Sequence, residues 1–314
     1  MNTQIYDLVV LGSGPAGLTA GLYGHRSGLK VCIVGGEMPG GQVMRHYRIE
    51  NYPGFPGGVT GAELMARWLR QVIDETGTAP QSETVTNIDF SSPIKRVLVG
   101  SQLVGARSLV IATGAAPRRL LVPGESEFED KGVFYCATCD GPMLRTMTSR
   151  HAAVIGGGDT AFHTAVSLLP HADSITIITR GAGPKAKLAL TRLLEKDQKT
   201  RVLTHRSVTA VKGTKAVTEL VLQNIQTQET ETFPVNAVFV GIGQSPVTEF
   251  LEGQLELNEK GFIVTDSMLR TSVSGVFAAG DVRDTPLRQI ITAAADGALA
   301  AESAGQYVRM NLTM

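Results

Sequence analysis

The chain has 314 residues, enough for about two domains that each bury their own core. Its 29 basic and 29 acidic residues cancel without long blocks of either sign, so neither nucleic acid nor an anionic membrane surface is the expected partner. No apolar stretch approaches the roughly 18 residues of a membrane helix, no secretion signal is visible, and three cysteines are too few for a disulfide scaffold. We therefore expect a cytoplasmic protein.

The first predicted elements are a strand, a glycine-rich turn and a helix. Ile5 to Leu11 is a mostly apolar strand, and a helix from Pro15 to about Arg26 follows. The turn between them is Gly12-Ser13-Gly14-Pro15-Ala16-Gly17. In such a turn, glycines let the backbone approach a pyrophosphate and let the helix pack closely. Glu37, about twenty residues further on, is placed to bind a ribose hydroxyl. The pattern predicts a dinucleotide site.

Small residues follow a later strand end, and a cysteine pair comes next. Ala112-Thr113-Gly114 could let the backbone pass close to a cofactor. Cys136 and Cys139 are separated by two residues, and such a pair can close a disulfide ring or hold a metal. Zinc would need two further ligands, and Cys32 lies in an apolar run where a small hydrophobic residue is expected.

The residue after the pair, Asp140, is a carboxylate suited to proton transfer, although it would also suit a turn before Gly141. With glycine-rich loops on both sides, the cysteine pair predicts disulfide chemistry driven by a flavin. Half of a zinc site and a buried pair are the alternatives.

A second strand, turn and helix begins at His151. The turn is Gly156-Gly157-Gly158-Asp159-Thr160-Ala161, and residues 174–178 form the next strand. The chain therefore contains two nucleotide-binding patterns, which predicts an α/β fold with two Rossmann-like domains.

The last segments contribute to the first domain. A strand at 276–279 ends in Gly280-Asp281, where Asp281 could bond a ribityl hydroxyl, although an ordinary strand with an Asp turn would look the same. Arg288-Gln289-Ile290 then opens a helix of small residues through Thr292 to Ala304, whose first amides could face a flavin carbonyl.

Over essentially its whole length the sequence resembles the low-molecular-weight thioredoxin reductases. Besides the motifs above, it matches them at Gly40-Gly41-Gln42 and at Glu50-Asn51-Tyr52-Pro53-Gly54. The resemblance implies a homodimer with an FAD domain at 1–116 and 246–314 and an inserted pyridine-nucleotide domain at 117–245. That inserted domain would carry the dithiol and rotate to present it to thioredoxin, or the flavin to NADPH. The FAD contacts implied are Gly12, Ser13, Gly14, Pro15, Ala16, Gly17, Glu37, Gly41, Gln42, Asn51, Ala112, Thr113, Gly114, Gly280, Asp281, Arg288, Gln289 and Ile290.

The resemblance also implies roles around the dithiol. Cys139 would take electrons from the flavin, Cys136 would attack the disulfide of thioredoxin, and Asp140 would be the general acid and base. A dithiol oxidase and a non-enzymatic flavin-binding regulator are alternatives, and reduction of added thioredoxin would separate the regulator from the enzyme.

The sequence departs from the family where NADPH would bind. Relatives carry a His-Arg-Arg run and a later Arg for the 2′-phosphate, whereas this chain has Thr179-Arg180-Gly181 and Lys185. Paired glutamates are replaced in Phe162-His163-Thr164, and a Gly-His-x-Pro-Asn run is replaced by Gly243-Gln244-Ser245-Pro246-Val247.

These departures predict a degraded NADPH site, as in the NADPH-independent thioredoxin reductases, which include ferredoxin-dependent and deeply branching cyanobacterial types. Ferredoxin or another donor would then supply electrons, while NADPH and NADH are the alternatives. Candidate ferredoxin contacts are Arg45, His46 and Arg48, or Arg118 and Arg119. Tyr47, Tyr135, Tyr307 and the last residues, 311–314, are candidates to cover the flavin, with ordinary packing as the alternative.

Overall fold

A computed structural model of the chain describes residues 4–36, 39–46, 49–251 and 253–312. The chain divides into two compact units. The first combines Met1–Ala116 with Ser245–Met314, and the second is Pro117–Gln244. Glu37, Tyr47, Arg48 and the last two residues, 313–314, which were singled out from the sequence, lie outside the described residues.

The secondary structure follows the chain in three stretches. Up to the crossover into the second unit it consists of β1 (Gln4–Leu11), α1 (Pro15–Arg26), β2 (Val31–Val34), α2 (Gly61–Thr76), β3 (Val85–Asp89), β4 (Lys95–Val99), β5 (Gln102–Ile111) and β6 (Ala115–Pro117). The next stretch consists of β7 (Val133–Phe134), α3 (Ala137–Asp140), β8 (His151–Ile155), α4 (Asp159–Leu168), β9 (Ser174–Ile178), α5 (Leu188–Glu195), β10 (Thr200–Leu203), β11 (Arg206–Gly213), β12 (Val217–Asn224), β13 (Thr230–Pro234), β14 (Ala237–Val240) and β15 (Gln244–Pro246). The last stretch adds β16 (Val276–Ala278) and α6 (Ile290–Leu312), and short 3-10 turns occur at Gly41–Arg45, Gly141–Thr146, Glu249–Leu251 and Gly280–Val282.

The main sheet of the first unit has the order β2-β1-β5-β4-β3, with β16 also beside β5. Along one edge β5 runs parallel to β1. On its other edge, the first half of β5 pairs antiparallel with β4, and the last three residues pair parallel with β16. The segment after the second unit therefore completes the sheet begun by the first 111 residues.

The central strands are apolar because both faces of this sheet are covered. Leu8 and Val110 belong to a buried cluster with α1, α2 and α6, whereas Val9 and Leu109 belong to a second cluster on the opposite face. Local signals also set the helices. The Thr60 hydroxyl accepts a hydrogen bond from the Glu63 amide at 3.1 Å and caps the start of α2.

The second unit has a parallel sheet of order β10-β9-β8-β14-β7 and an antiparallel sheet of order β11-β12-β13. Buried residues of the parallel sheet pack on α4 on one side, as in the cluster of Val154, Phe162 and Ile177. On the other side they pack with the antiparallel sheet, as in the cluster of Ile155, Leu220 and Val238. The predicted α/β fold with two Rossmann-like arrangements is confirmed.

Helix α6 packs on the start of α1 through a glycine. A Cβ atom at Gly297 would stand only 2.2 Å from the carbonyl oxygen of Ala16, a backbone atom held by the first turn of α1. At Gly305, further along the same helix, the nearest atom to such a Cβ is the end of the Arg309 side chain at 3.3 Å. The two positions share a helix but differ in what they face.

This difference gives a matched pair of stability predictions. Replacing a helix-interior glycine with alanine normally gains about 1 kcal/mol, whereas overpacking a tight contact costs about 1–3 kcal/mol. We expect Gly297→Ala to lower the thermal unfolding midpoint by several degrees, because α1 cannot give way at its backbone. Gly305→Ala should leave the midpoint unchanged or raise it. Midpoint shifts of the same sign and size in the two variants would show that the close contact at Gly297 does not determine the loss of stability.

Candidate active site

Cys136 and Cys139 form a disulfide at the start of α3. Their Cα atoms are 5.3 Å apart, which one helical turn between them permits. The Cys139 amide donates a hydrogen bond to the sulfur of Cys136 at 3.2 Å, and the Asp140 amide donates to the Cys136 carbonyl at 2.9 Å. The disulfide is therefore the predicted pair, and both sulfur-bearing residues are partly exposed.

Asp140 is buried directly after the disulfide. The pKa of this carboxyl is raised to about 7, mainly by burial and also by the charge of Asp130, while a hydrogen bond with the Cys136 backbone opposes the rise. A group with this pKa is populated in both protonation states near neutral pH. It can therefore give a proton to a leaving thiolate or take one from a thiol.

Tyr135, the residue before the disulfide, is held by a carboxylate that sequence reasoning missed. Glu125 is almost fully buried and accepts hydrogen bonds from the Tyr135 hydroxyl at 2.9 Å and from the amides of Leu120 and Leu121 at 2.8 Å. Arg119 lies over the Tyr135 ring and pairs with Glu129 at 2.6 Å. Tyr135 therefore has partners for its hydroxyl and its ring within the second unit. Arg119, a candidate contact for an acidic protein, already forms an ion pair with Glu129.

The first glycine-rich turn lies between β1 and α1, as predicted. Gly12 has φ +115°, and a Cβ there would stand 2.2 Å from the Ala112 carbonyl oxygen, so the turn and the end of β5 touch through backbone. The amide of Gly40 donates to the Ser13 carbonyl at 2.9 Å, and a Cβ at Gly41 would lie 3.3 Å from the Gly14 Cα. Three segments separated in sequence meet at this turn.

Segments from the last part of the chain join the same place. A Cβ at Gly280 would stand 2.9 Å from the Ala16 Cβ, so the turn after β16 closes on the start of α1. The Asn51 amide nitrogen donates to the Gln289 side-chain oxygen at 2.8 Å across 238 residues of sequence. Gln289 directly precedes α6, which begins at Ile290.

Asp281 and Arg288 are neighbours in this cluster. The pKa of Asp281 is raised to about 6, mainly by burial, with the Arg288 charge opposing the rise and the Asp296 charge adding to it. Arg288 lies over the Phe262 ring at 4.1 Å and donates to the Asp281 carbonyl at 3.4 Å. Arg288 therefore supports the turn that presents Asp281.

These segments form a cradle that fits a dinucleotide such as FAD. No described atom lies within 4 Å of where a Cβ would stand at Gly14 or at Gly114, so the backbone there is open to a ligand. Thr113 is held beside Gly114 by its hydroxyl, which donates to the Val247 carbonyl at 2.8 Å. The fit rests on exposed backbone at glycine together with a partly buried carboxyl at Asp281, the kind of acceptor that sugar hydroxyls require.

The second glycine-rich turn, Gly156 to Gly158, connects β8 to α4. The loop after β9 folds onto it, because the Lys185 amide donates to the Gly157 carbonyl and the Lys187 amide donates to the Asp159 carboxylate, both at 2.7 Å. Phe162 is a core residue, so among the residues that replace the family's glutamates only His163 and Thr164 reach the surface of α4.

The remaining sequence candidates occupy other surroundings. Tyr307 packs on Phe277 and lies beside Lys95 in the first unit. Asn311 donates to the Tyr307 carbonyl in α6, and the final two residues, 313–314, lie outside the described part of the chain. Cys32 is buried in β2, and burial raises the pKa of its thiol to about 11.

No three His, Cys, Asp or Glu residues among the described residues come together in a group that could hold a metal ion. Nor does the described part of the chain contain a helix of the length and apolar character that crossing a bilayer requires.

Comparison with known proteins agrees with this geometry. A family profile described as pyridine nucleotide-disulphide oxidoreductase matches residues 6–297. The thioredoxin reductase of Peptoclostridium litorale is 38% identical over 311 residues, covering 97% of this chain and 98% of that protein. Solved thioredoxin reductases from Streptococcus pyogenes and Giardia duodenalis are 34% and 33% identical with TM-scores of 0.89 and 0.90, each covering 98% of this chain and all of its own. The chain therefore belongs to the pyridine nucleotide-disulphide oxidoreductase family and, within it, to the thioredoxin reductases, which are flavoprotein disulfide oxidoreductases.

Proposed function

We propose that this protein is an FAD-containing, NADPH-dependent thioredoxin reductase. The observation that carries the proposal is the Cys136–Cys139 disulfide with the buried Asp140 carboxyl beside it, in a chain of this family. The first unit, at about 1–116 and 246–314, is the FAD domain. The second, at about 117–245, is the nucleotide domain that carries the dithiol.

The FAD would be held by the cradle of the first unit. Its pyrophosphate would meet the backbone of Gly12 to Gly17, and its ribityl chain would meet Asp281, which Arg288 supports. Bound FAD supplies two-electron transfer to a disulfide. The Asn51–Gln289 hydrogen bond ties two walls of the cradle together and so orients the start of α6.

The dithiol would act by thiol–disulfide exchange. The thiolate of Cys136 attacks one sulfur of the thioredoxin disulfide, and a mixed disulfide forms while the other sulfur leaves as a thiolate. Cys139 then attacks Cys136, which restores the Cys136–Cys139 disulfide and releases reduced thioredoxin. The Cys139 amide that donates to the Cys136 sulfur favours the charged thiolate at Cys136, and Asp140 supplies or accepts the proton.

The proposed donor is supported by the surroundings of the second glycine-rich turn. Arg180 and Lys185 are exposed cations on the loop that folds onto this turn, a location suited to a phosphorylated ribose. The relatives compared above are named as thioredoxin reductases, and the expected membership of an NADPH-independent, ferredoxin-dependent subgroup is not supported. Thr179 and Gly181 replace two basic residues of the family, while Arg180 and Lys185 remain as cations.

A homodimer also forms part of the proposal. A groove of about 370 Å³ between α1, α2 and α6 of the first unit is lined by apolar residues that include Leu22, Trp68 and Ile291. Tyr23 and Ile291, which line this groove, are roughly half exposed, which suits a surface that a second copy covers.

The donor is tested by anaerobic stopped-flow mixing of the oxidised yellow protein with NADPH, with NADH and with reduced ferredoxin. We expect NADPH to bleach the oxidised-flavin absorbance promptly, because the cations of the second unit attract its 2′-phosphate. Added thioredoxin should then be reduced in amounts that match the NADPH consumed. Bleaching by ferredoxin alone would contradict the proposed donor.

The cysteine roles are tested by single substitutions. Cys139→Ser should abolish thioredoxin reduction while FAD stays bound, and its Cys136 should trap thioredoxin as a mixed disulfide, visible by non-reducing electrophoresis. Cys136→Ser should trap none. Cys32→Ala is the matched control and should keep full activity, because Cys32 is buried in β2. Turnover by Cys139→Ser would overturn the assignment.

Asp140 is tested through pH. We expect Asp140→Asn to slow thiol–disulfide exchange by roughly 10²- to 10⁴-fold. The rate of the natural protein should show a limb with a pKa near 7 that this variant lacks. Asp173→Asn, which alters an exposed carboxylate paired with Arg150, should leave the profile unchanged.

Asp140→Asn should slow the reaction, but it should also stabilise the folded protein relative to the natural protein as pH rises. Because the folded-state pKa of Asp140 is raised, the folded protein holds its proton more tightly than the unfolded chain does, and stability falls as pH rises from about 4 to about 7. Asparagine carries no such penalty. In denaturant titrations, Asp140→Asn should therefore be more stable relative to the natural protein at pH 8 than at pH 4, and a pH-independent difference would contradict the burial argument.

A further inference from the structure

Three parallel strands of the second unit end at one edge of their sheet. In the register of the sheet, Ile155 at the end of β8 pairs with Ile178 at the end of β9, and Ile178 pairs with Leu203 at the end of β10. Ligands of such sheets bind outside the carboxyl ends of the strands. If the turn after β8 binds the pyrophosphate, the ribose of the adenosine would lie toward β9 and β10.

The segments after β9 and β10 are hydrogen-bonded to each other. The His205 amide donates to the Gly181 carbonyl at 3.1 Å, and the Arg206 amide donates to the Thr179 carbonyl at 3.0 Å. His205 has a backbone φ of +54°, a left-handed conformation that residues other than glycine rarely adopt. A partly exposed imidazole residue therefore stands next to the position where Gly181 contributes no side chain.

The charges around this edge favour an anion. Arg180 and Lys185 are exposed on the loop after β9. The neighbouring negative charges have partners, because Glu231 pairs with Arg206 at 2.5 Å and the Asp159 carboxylate accepts from the Lys187 amide. A phosphate here would meet donors from two strand ends.

We propose that His205 is a specificity-determining residue that binds the 2′-phosphate of NADPH together with Arg180 and Lys185. The inference rests on the proposed use of NADPH. An imidazole donates an N–H whether it is neutral or charged, and it can therefore bind phosphate near neutral pH. NADH has no 2′-phosphate, so His205 contributes to the choice between the two nucleotides and not to hydride transfer.

The test measures binding of 2′,5′-ADP and of 5′-AMP to the FAD-loaded protein by titration calorimetry. His205→Gly suits the left-handed backbone and removes the imidazole. We expect this variant to bind 2′,5′-ADP about tenfold more weakly, as for loss of one hydrogen bond to a charged group. Its affinity for 5′-AMP should not change.

Gln228→Gly is the matched control. Gln228 has φ +65° and lies in the turn whose Ile225 amide donates to the His205 carbonyl, so the change loosens the same neighbourhood without removing the imidazole. It should leave both affinities unchanged. His205→Asn, which tolerates the left-handed backbone and has a shorter side chain, should weaken 2′,5′-ADP in the same direction and replaces the glycine variant if that one fails to fold.

Equal weakening of both ligands in His205→Gly would show a structural effect and overturn the proposal. Unchanged binding of 2′,5′-ADP would overturn it as well, as would natural protein that binds the two ligands equally. The proposed donor is judged separately by flavin reduction. If NADPH fails to reduce the flavin while the binding results are as expected, NADPH is not the electron donor. The role of His205 in binding the 2′-phosphate is then still supported.

Discussion

Backbone contact at glycine is the constraint on which the first unit depends. Gly12 touches the Ala112 carbonyl, Gly17 touches the Gly12 carbonyl, and Gly297 touches the Ala16 carbonyl, each closer than a Cβ would allow. These contacts bring β1, the end of β5 and α6 to one place. Because α6 follows the second unit in sequence, the cradle is complete only when the chain has returned from that unit.

In the second unit, two buried carboxyl groups near the disulfide have different surroundings and different roles. Glu125 receives three hydrogen bonds, two of them from backbone amides, and so fixes Tyr135 beside the disulfide. Asp140 is buried with the charge of Asp130 nearby, and its pKa rises to about 7. One carboxylate has the donors of a structural support and the other has the pKa of a proton carrier, although both lie within fifteen residues of sequence.

The features predicted from sequence are those set by local pattern. The two glycine-rich turns, their flanking strands and helices, and the cysteine pair are each specified within a few residues, and the structure places them as expected. Helix α6 begins at Ile290 as predicted but continues beyond Ala304, because small residues indicate close packing without marking an end. Other contacts join segments that are separated in sequence, so no local pattern predicts them. They are the Asn51–Gln289 hydrogen bond, the support of Tyr135 by Glu125 and the hydrogen bond from His205 to Gly181.

The prediction about the electron donor shows why missing residues are weaker evidence than present ones. It rested on three departures from the family, at 179–185, at 162–164 and at 243–247. Gly181 counted as a loss because phosphate binding was assigned to the loop after β9 alone. In a parallel sheet, however, neighbouring strand ends share one edge, and a ligand there is bound by a sum of contacts from several of them. The His205 amide already donates to the Gly181 carbonyl from the next strand end, beside Arg180. The binding of a phosphate depends on the cations and hydrogen-bond donors around it, whichever segment supplies them. Gly181 alone therefore does not decide whether the phosphate binds.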